Sequence, residues 1–232
     1  MPAKATAEPT DPAVVDQWDG GVGWIAHPEE TMERASHALS TDEGDWLVDP
    51  LCAPGVADRL ADMGEVAGVI LLSNHHLRDA DVFAERYDVP VTLPASMTGL
   101  EERLDAPVSR LEVGTAVGGY ELFSVAHNPW WQEYGLADGE TLVVGESVGT
   151  ADYLRAGEED LGVMLIRRLT PPRDALAGRD PDRVLAGHGP GLHEDAGEAL
   201  EEALRTARRR FPRALLENGR RQLGTVIAAV RT

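Results

Sequence analysis

Five short segments of the chain share one layout, an apolar run that ends on a histidine or a carboxylate. They are WLVDP, closing on Asp49; ILLSNHHLRDAD, carrying Asn74, His75, His76, Arg78 and Asp79; LFSVAHNP, closing on His127; TLVVGES, closing on Glu146; and RVLAGHGPG, carrying His188. Strand ends bearing such side chains are how α/β scaffolds gather a site at one edge of a sheet. Imidazole and carboxylate are the usual ligands of zinc and iron, so the chemistry indicated is metal binding and metal-assisted reaction. One such segment carries little weight. Five in one chain point to a common site.

The elements that would position these residues alternate apolar runs with helical stretches, the pattern of α/β layers. Gly21 to Leu39 is expected to open with strands, Trp46 to Val48 to be a strand, Ala57 to Met63 a short helix, and Val66 to Ser73 a buried strand with a near-continuous apolar run. A helix over Asp79 to Tyr87 and a strand over Val89 to Leu93 follow. Strand-like runs then come at Val108 to Val113, Ala116 to Gly119, Tyr120 to Ala126 and Glu140 to Val144, with Gly118-Gly119 and Asp138-Gly139 as turns. Leu161 to Arg168 fits either strand or helix. Arg183 to Ala186 is expected as a strand entering the glycine-rich loop around His188. A helix from Glu194 to Arg210 should stop at Phe211-Pro212, and a second one run from Arg213 to Val230. Residues 1–12 are expected as a disordered tail, and 13–232 as one domain.

In order and spacing, these segments resemble the metallo-β-lactamase superfamily over about residues 20 to 210. In that family a strand-end Asp is followed by T-H-x-H-x-D-H, an isolated His, a strand ending in G-D and a late G-H loop. Asp49 stands at the first position, Ser73 at the Thr, Asn74 at the first His, His76 at the second, Arg78 at the Asp and Asp79 at the last His. His127 matches the isolated His, Glu146 the bridging Asp and His188 the final His. The resemblance implies a four-layer αβ/βα sandwich. It also implies a metal centre in which His76, His127, Glu146 and His188 are the ligands, with Asp79 and Arg78 beside them as catalytic or anion-binding groups.

The departures from the family pattern bear on how many metals the site takes. Asn74 is a poor ligand, and Arg78 cannot ligate because its guanidinium stays protonated. Like charges about 4 Å apart repel by roughly 4 kcal/mol at an effective dielectric of 20, so Arg78 stands in for the charge of a second metal. One zinc or iron, or none, is the expectation. Two readings stay open: a one-metal hydrolase of a small-molecule ester, thioester or lactone, and a metal-free module that binds a small anion at Arg78. Three protein ligands and an open position would suit a hydrolytic zinc, whose bound water has a pKa of about 7.

Other residues have plainer readings. His75 should point away from His76 along an extended chain. His27, His37 and His193 are taken as surface or structural, and Cys52 as a small buried residue. Trp130 and Trp131 either roof a pocket or divide between core and surface. The single cysteine excludes a disulfide framework and multi-cysteine metal sites.

At 232 residues, 43% of them apolar, the chain can bury a sizeable core. Its 40 acidic residues against 21 basic ones, Lys4 being the only lysine, leave a formal net charge of −19. That field repels phosphate backbones and anionic membranes, so a small molecule is the expected partner, with no nucleic acid and no membrane. The acids are dispersed along the chain, as in proteins of concentrated salt. With no apolar leader at the N-terminus and no long apolar span, a cytoplasmic location is expected.

Overall fold

In the computed structural model, residues 2–230 are described, without the side chains of 223 and 225–230. A seven-stranded mixed sheet takes up the first half of the chain: β1 (Ala13–Trp18), β2 (Gly21–Ile25), β3 (Ala35–Thr41), β4 (Gly44–Val48), β5 (Val66–Ile70), β6 (Val91–Pro94) and β7 (Val108–Leu111), in that spatial order. The first four strands pair antiparallel and the last four parallel. The change follows from the connections. A two-residue turn can only reverse the chain, whereas α1 (Val56–Met63) and α2 (Ala80–Tyr87) give the crossovers that parallel pairing needs.

The second half forms a five-stranded sheet from β8 (Ala116–Val117), β9 (Tyr120–Asn128), β10 (Trp131–Ala137), β11 (Thr141–Val144) and β14 (Arg183–Ala186), ordered β14-β11-β10-β9-β8. A two-stranded piece, β12 (Val148–Gly149) with β13 (Gly162–Val163), lies beside it. Two helices follow in the chain: α3 (Arg173–Leu176), and α4 (Ala196–Val230) packed on the outer face.

Period-two alternation sorts the core. Leu122, Val143 and Leu185 face inward and join the cluster built by the first sheet, with Leu39, Leu47, Val69 and Leu93. Their neighbours Phe123, Leu142, Val144, Val184 and Ala186 face outward against Leu200, Ala203, Leu204 and Ala207 of α4. The layers are therefore helix, sheet, sheet, helix, as the αβ/βα expectation requires.

Several boundaries differ from the sequence reading. Strand β1 was not anticipated. Leu161 to Arg168 divides into the short strand β13 and a 3-10 turn over Leu165–Arg167. α4 runs through Pro212 rather than ending there. Proline removes one N–H and frees a carbonyl one turn earlier, but Pro212 and Arg208 are both exposed, so that turn lies on the solvent side of the helix, where the loss costs little. Residues 2–12 contain no helix or strand, and they are not detached: the amides of Thr31 and Met32 donate to the carbonyls of Pro2 and Ala3 at 2.8 and 3.1 Å.

Candidate metal centre

Register brings the site residues to one edge. β4 and β5 run parallel with Val48 opposite Ile70, so Asp49 and the segment that follows Ile70 leave the first sheet side by side. β11 and β14 are also parallel, with Val144 opposite Ala186. Glu146 and His188 each lie two residues beyond that pair and so emerge together. An isolated bridge between Ser73 and Glu133, with the Tyr134 amide donating to the Leu72 carbonyl at 2.8 Å, joins the two edges.

His76, Glu146 and His188 converge there, with ligand-type atoms all within 4.8 Å of one another. His76 Nε2 lies 3.0 Å from Glu146 Oε1, and His188 Nε2 lies 3.4 Å from Glu146 Oε2. Both imidazoles are fixed from behind. His76 Nδ1–H donates to Asp49 Oδ2 at 2.7 Å, and His188 Nδ1–H donates to the Met32 carbonyl at 2.8 Å. Each ring thus turns Nε2 toward the carboxylate, the arrangement that orients metal-binding histidines. His188 Nε2 is buried and has no hydrogen-bond partner. Gly187 is needed for this closeness: a Cβ there would lie 2.2 Å from the Gly145 carbonyl oxygen and 2.8 Å from His76 Cε1.

The electrostatics are those of a charge cluster out of water. Burial pushes the Glu146 carboxyl up, but the His76 charge and the two imidazoles that face the carboxylate outweigh it and hold the group well below the usual carboxylate range. Burial and Arg78 push His76 down, while Glu146 and Asp49 more than compensate and raise it. This donor set fits one metal: two oriented nitrogens, one carboxylate and an orphaned lone pair on His188.

The other expected site residues take different places. His127 pairs with Gln132 across β9 and β10, while Ala126 pairs with Glu133. Cross-strand partners share a face, and Glu133 faces the site, so His127 faces away from it. It is exposed, and its Nδ1 lies 3.2 Å from the Tyr134 hydroxyl. Asp79 Oδ2 accepts from the Cys52 amide at 2.6 Å and so ties two loops together. Burial, with Asp79 beside it, pushes the Cys52 thiol up to about 11. Arg78, at a left-handed φ of 47°, donates through Nη1 to the carbonyls of Ala35 and Asp49 and through Nη2 to that of Gly187. Its Nη2 lies 3.5 Å from His76 Nε2. The guanidinium is a clamp on three backbone carbonyls, and it pairs with neither Asp79 nor Glu146 among the described contacts. Asn74 Oδ1 accepts from the Gln132 amide at 2.9 Å, a structural role in place of a ligand. His75 Nε2 lies 3.1 Å from the Trp130 carbonyl oxygen, outside the group.

Glu133 escaped the sequence reading. It is fully buried; Oε1 accepts from the amides of Glu146 and Ser147 at 2.8 and 2.7 Å, and Oε2 accepts from the Ser147 hydroxyl and Trp131 Nε1–H. Three of its four donors belong to the loop that presents Glu146 and so hold it in place. The available signal is a carboxylate in the strand WQEYGLA, set between Gln132 and Tyr134 and, by period-two alternation, on the same face as Trp131. Trp131 packs against Tyr153 and Leu154, while Trp130 is 84% exposed.

No protein-family model matches the sequence, and no curated protein matches it at a significant level. Solved structures do match. The chain is similar to the DIM-1 metallo-β-lactamase at 14% identity over 87% of this chain and 100% of that one, with a TM-score of 0.57. A metallo-β-lactamase from Hirschia baltica matches at 14% identity over 85% and 98%, TM-score 0.57. The metallo-β-lactamase FIM-1 from Pseudomonas aeruginosa, in its mono-zinc form, matches at 11% identity over 88% and 99%, TM-score 0.55. The fold is that of the metallo-β-lactamases, at a sequence distance that carries the fold alone.

Proposed function

We propose that this metallo-β-lactamase-fold chain is a hydrolase that works with a single divalent metal, zinc being the first choice, on a small-molecule ester, thioester or lactone. The observation that carries the reading is the pair of imidazoles whose Nδ1 atoms are tied to acceptors while their Nε2 atoms converge on Glu146, one of them without a partner. The likeness to a lactamase that takes a mono-zinc form lends the metal count support.

When bound, the metal supplies an activated water with a pKa of about 7. The chain's own residues do the rest. His76, Glu146 and His188 hold the ion; Asp49 and the Met32 carbonyl fix the two ring orientations; Glu133 fixes the loop carrying Glu146. Arg78 contributes a permanent positive charge beside His76, which disfavours a second cation there. That same charge supports the second reading, a metal-free anion site. Its terminal nitrogens already serve three carbonyls, so the hydrolase reading is preferred.

The test is metal content after purification in high salt, followed by zinc titration and an assay of ester, thioester and lactone substrates. Zinc bound at His76, Glu146 and His188, with one equivalent lost in His188→Ala together with hydrolysis, is the expected result. A folded protein that takes up no zinc at this group would overturn the metal centre. A zinc-loaded protein inert toward all three substrate classes would overturn the hydrolase.

A further inference from the structure

Away from His76, Glu146 and His188, two side chains of ligand type, Asp16 and His37, face each other on the first sheet, and a third, His193, approaches from the loop after β14. Asp16 of β1 pairs with Gly23 of β2, and Gly23 pairs with His37 of β3, so the three stand in one row on one face. Gly23 has no side chain, and Asp16 and His37 lean over the gap it leaves. A Cβ on Gly23 would lie 2.5 Å from Asp16 Oδ2 and 2.9 Å from His37 Nδ1. The loop after β14 closes over the row: Asp16 Oδ1 accepts from the Gly191 amide at 2.8 Å and lies 3.0 Å from His193 Nε2.

The tautomer of His37 can be assigned. Its Nε2 lies 3.0 Å from the Ala186 carbonyl oxygen, which can only accept, so Nε2 carries the hydrogen. Burial holds the ring's pKa below its ordinary value against the pull of the Asp16 carboxylate; in the neutral ring that donates through Nε2, the lone pair is on Nδ1. That lone pair faces Asp16 Oδ2 across 4.0 Å. Asp16 is 3% exposed and His37 1%, and neither of the two facing atoms has a hydrogen-bond partner. Two buried acceptors that face each other require something electropositive between them.

We infer that Asp16, His37 and His193 form an accessory site for a divalent transition metal, seated over Gly23 between Asp16 Oδ2 and His37 Nδ1, with the His193 imidazole as third ligand. With bonds of about 2.0–2.2 Å to nitrogen and carboxylate oxygen, a tetrahedral angle sets the two atoms roughly 3.4 Å apart, so the 4.0 Å gap would have to close by about half an ångström. A water molecule would also satisfy the two orphaned acceptors. The third group favours the metal: two imidazoles and one carboxylate are the donor set of zinc, cobalt and nickel rather than calcium or magnesium. The His193 side chain is 33% exposed, which gives an ion a way in from solvent. Site formation requires this ring to exchange its contact with Asp16 Oδ1 for the metal, its proton moving to Nδ1.

Zinc binding by equilibrium dialysis on four proteins tests this independently of the first centre: the natural chain, His193→Ala, Glu146→Gln and the double variant. The expected stoichiometries are two, one, one and none. If His193→Ala binds as much zinc as the natural chain, the accessory site is refuted and the first centre is untouched. If the natural chain binds one equivalent that His193→Ala loses, the accessory site stands and the His76 centre falls. Thermal melting gives a second readout: zinc raises the Tm of Glu146→Gln but not of the double variant. Equal shifts in the two would refute the site, leaving a bridging water as the occupant.

Discussion

Replacing Asp49 by Asn alters one atom and no volume, and its effect on zinc affinity can be worked out from hydrogen-bond geometry. Asp49 Oδ1 accepts from the Leu72 amide at 2.9 Å and Oδ2 accepts from His76 Nδ1–H at 2.7 Å. Its φ of 46° is left-handed, a conformation that Asn adopts as readily as Asp, so the backbone stays in place. With Oδ1 retained at Leu72, the new amide nitrogen faces His76 Nδ1. Two donors cannot face each other, so the imidazole moves its hydrogen to Nε2, the atom directed at Glu146 and the metal. The opposite amide orientation sets the side-chain NH2 against the buried Leu72 N–H and so costs stability instead. Loss of such a supporting contact lowers metal affinity by roughly 10- to 100-fold, or about 1.4–2.7 kcal/mol. Zinc competition against a chromophoric chelator at fixed pH measures it, with circular dichroism confirming the fold. An Asp49→Asn protein that is folded and binds zinc as tightly as the natural chain would refute the reasoning that Asp49 sets the His76 tautomer.

Arg78→Met removes donors from the buried carbonyls of Ala35, Asp49 and Gly187; a loss of about 2–4 kcal/mol is expected in urea unfolding, and a change below about 0.5 kcal/mol would show the clamp to be idle. Glu159→Ala strips the fully buried Arg168 of a carboxylate bound at 2.6 and 2.9 Å, which should cost about 3–5 kcal/mol, while replacing both partners by apolar residues should recover most of it. Asp45 is buried with Oδ2 unpartnered, and burial raises its carboxyl pKa despite a hydrogen bond from Ser40. The unfolded chain therefore releases this proton first as pH rises, and the fold loses stability through that range. Asp45→Asn should accordingly be more stable than the natural chain at about pH 7, with the difference vanishing near pH 3, where the carboxyl is protonated in both states.

The strand ends were legible because apolar runs broken by one polar residue are a local signal: Asp49, His76, Glu146 and His188 all follow such runs, and parallel register then brings them together. His127 follows the same kind of run and points elsewhere, because the face a strand residue occupies depends on its cross-strand register with Gln132 and Glu133, which no local pattern records. Glu133 was hidden for the converse reason, being a buried carboxylate whose four donors come from β10 itself and a loop more than ten residues away. Pro212 was given the weight it carries in a buried helix, and its exposure removed that weight. Arg78 cannot ligate by its chemistry alone; its service to three carbonyls from three separate segments is a tertiary fact. The Asp16, Gly23 and His37 row requires the pairing of β1, β2 and β3, and β1 itself gave no clear pattern.

The division of the ligands between the two sheets sets an order of events during synthesis. The first sheet uses residues up to Leu111 and contributes His76; the second begins at Ala116 and contributes Glu146 and His188. The last of these is held in place by pairing with the first half of the chain: the Ala35 amide donates to the Gly187 carbonyl at 2.9 Å, and the Gly189 amide to that of Glu33 at 2.8 Å. A nascent chain that has completed its first sheet therefore holds one ligand of three, and it leaves open the face that Leu122, Val143 and Leu185 later cover. An ion at this group cannot template folding from the ribosome outward. Bound there, it would act as a seal, captured only after the closing loop has docked, so that metal occupancy would mark finished molecules and exclude truncated ones.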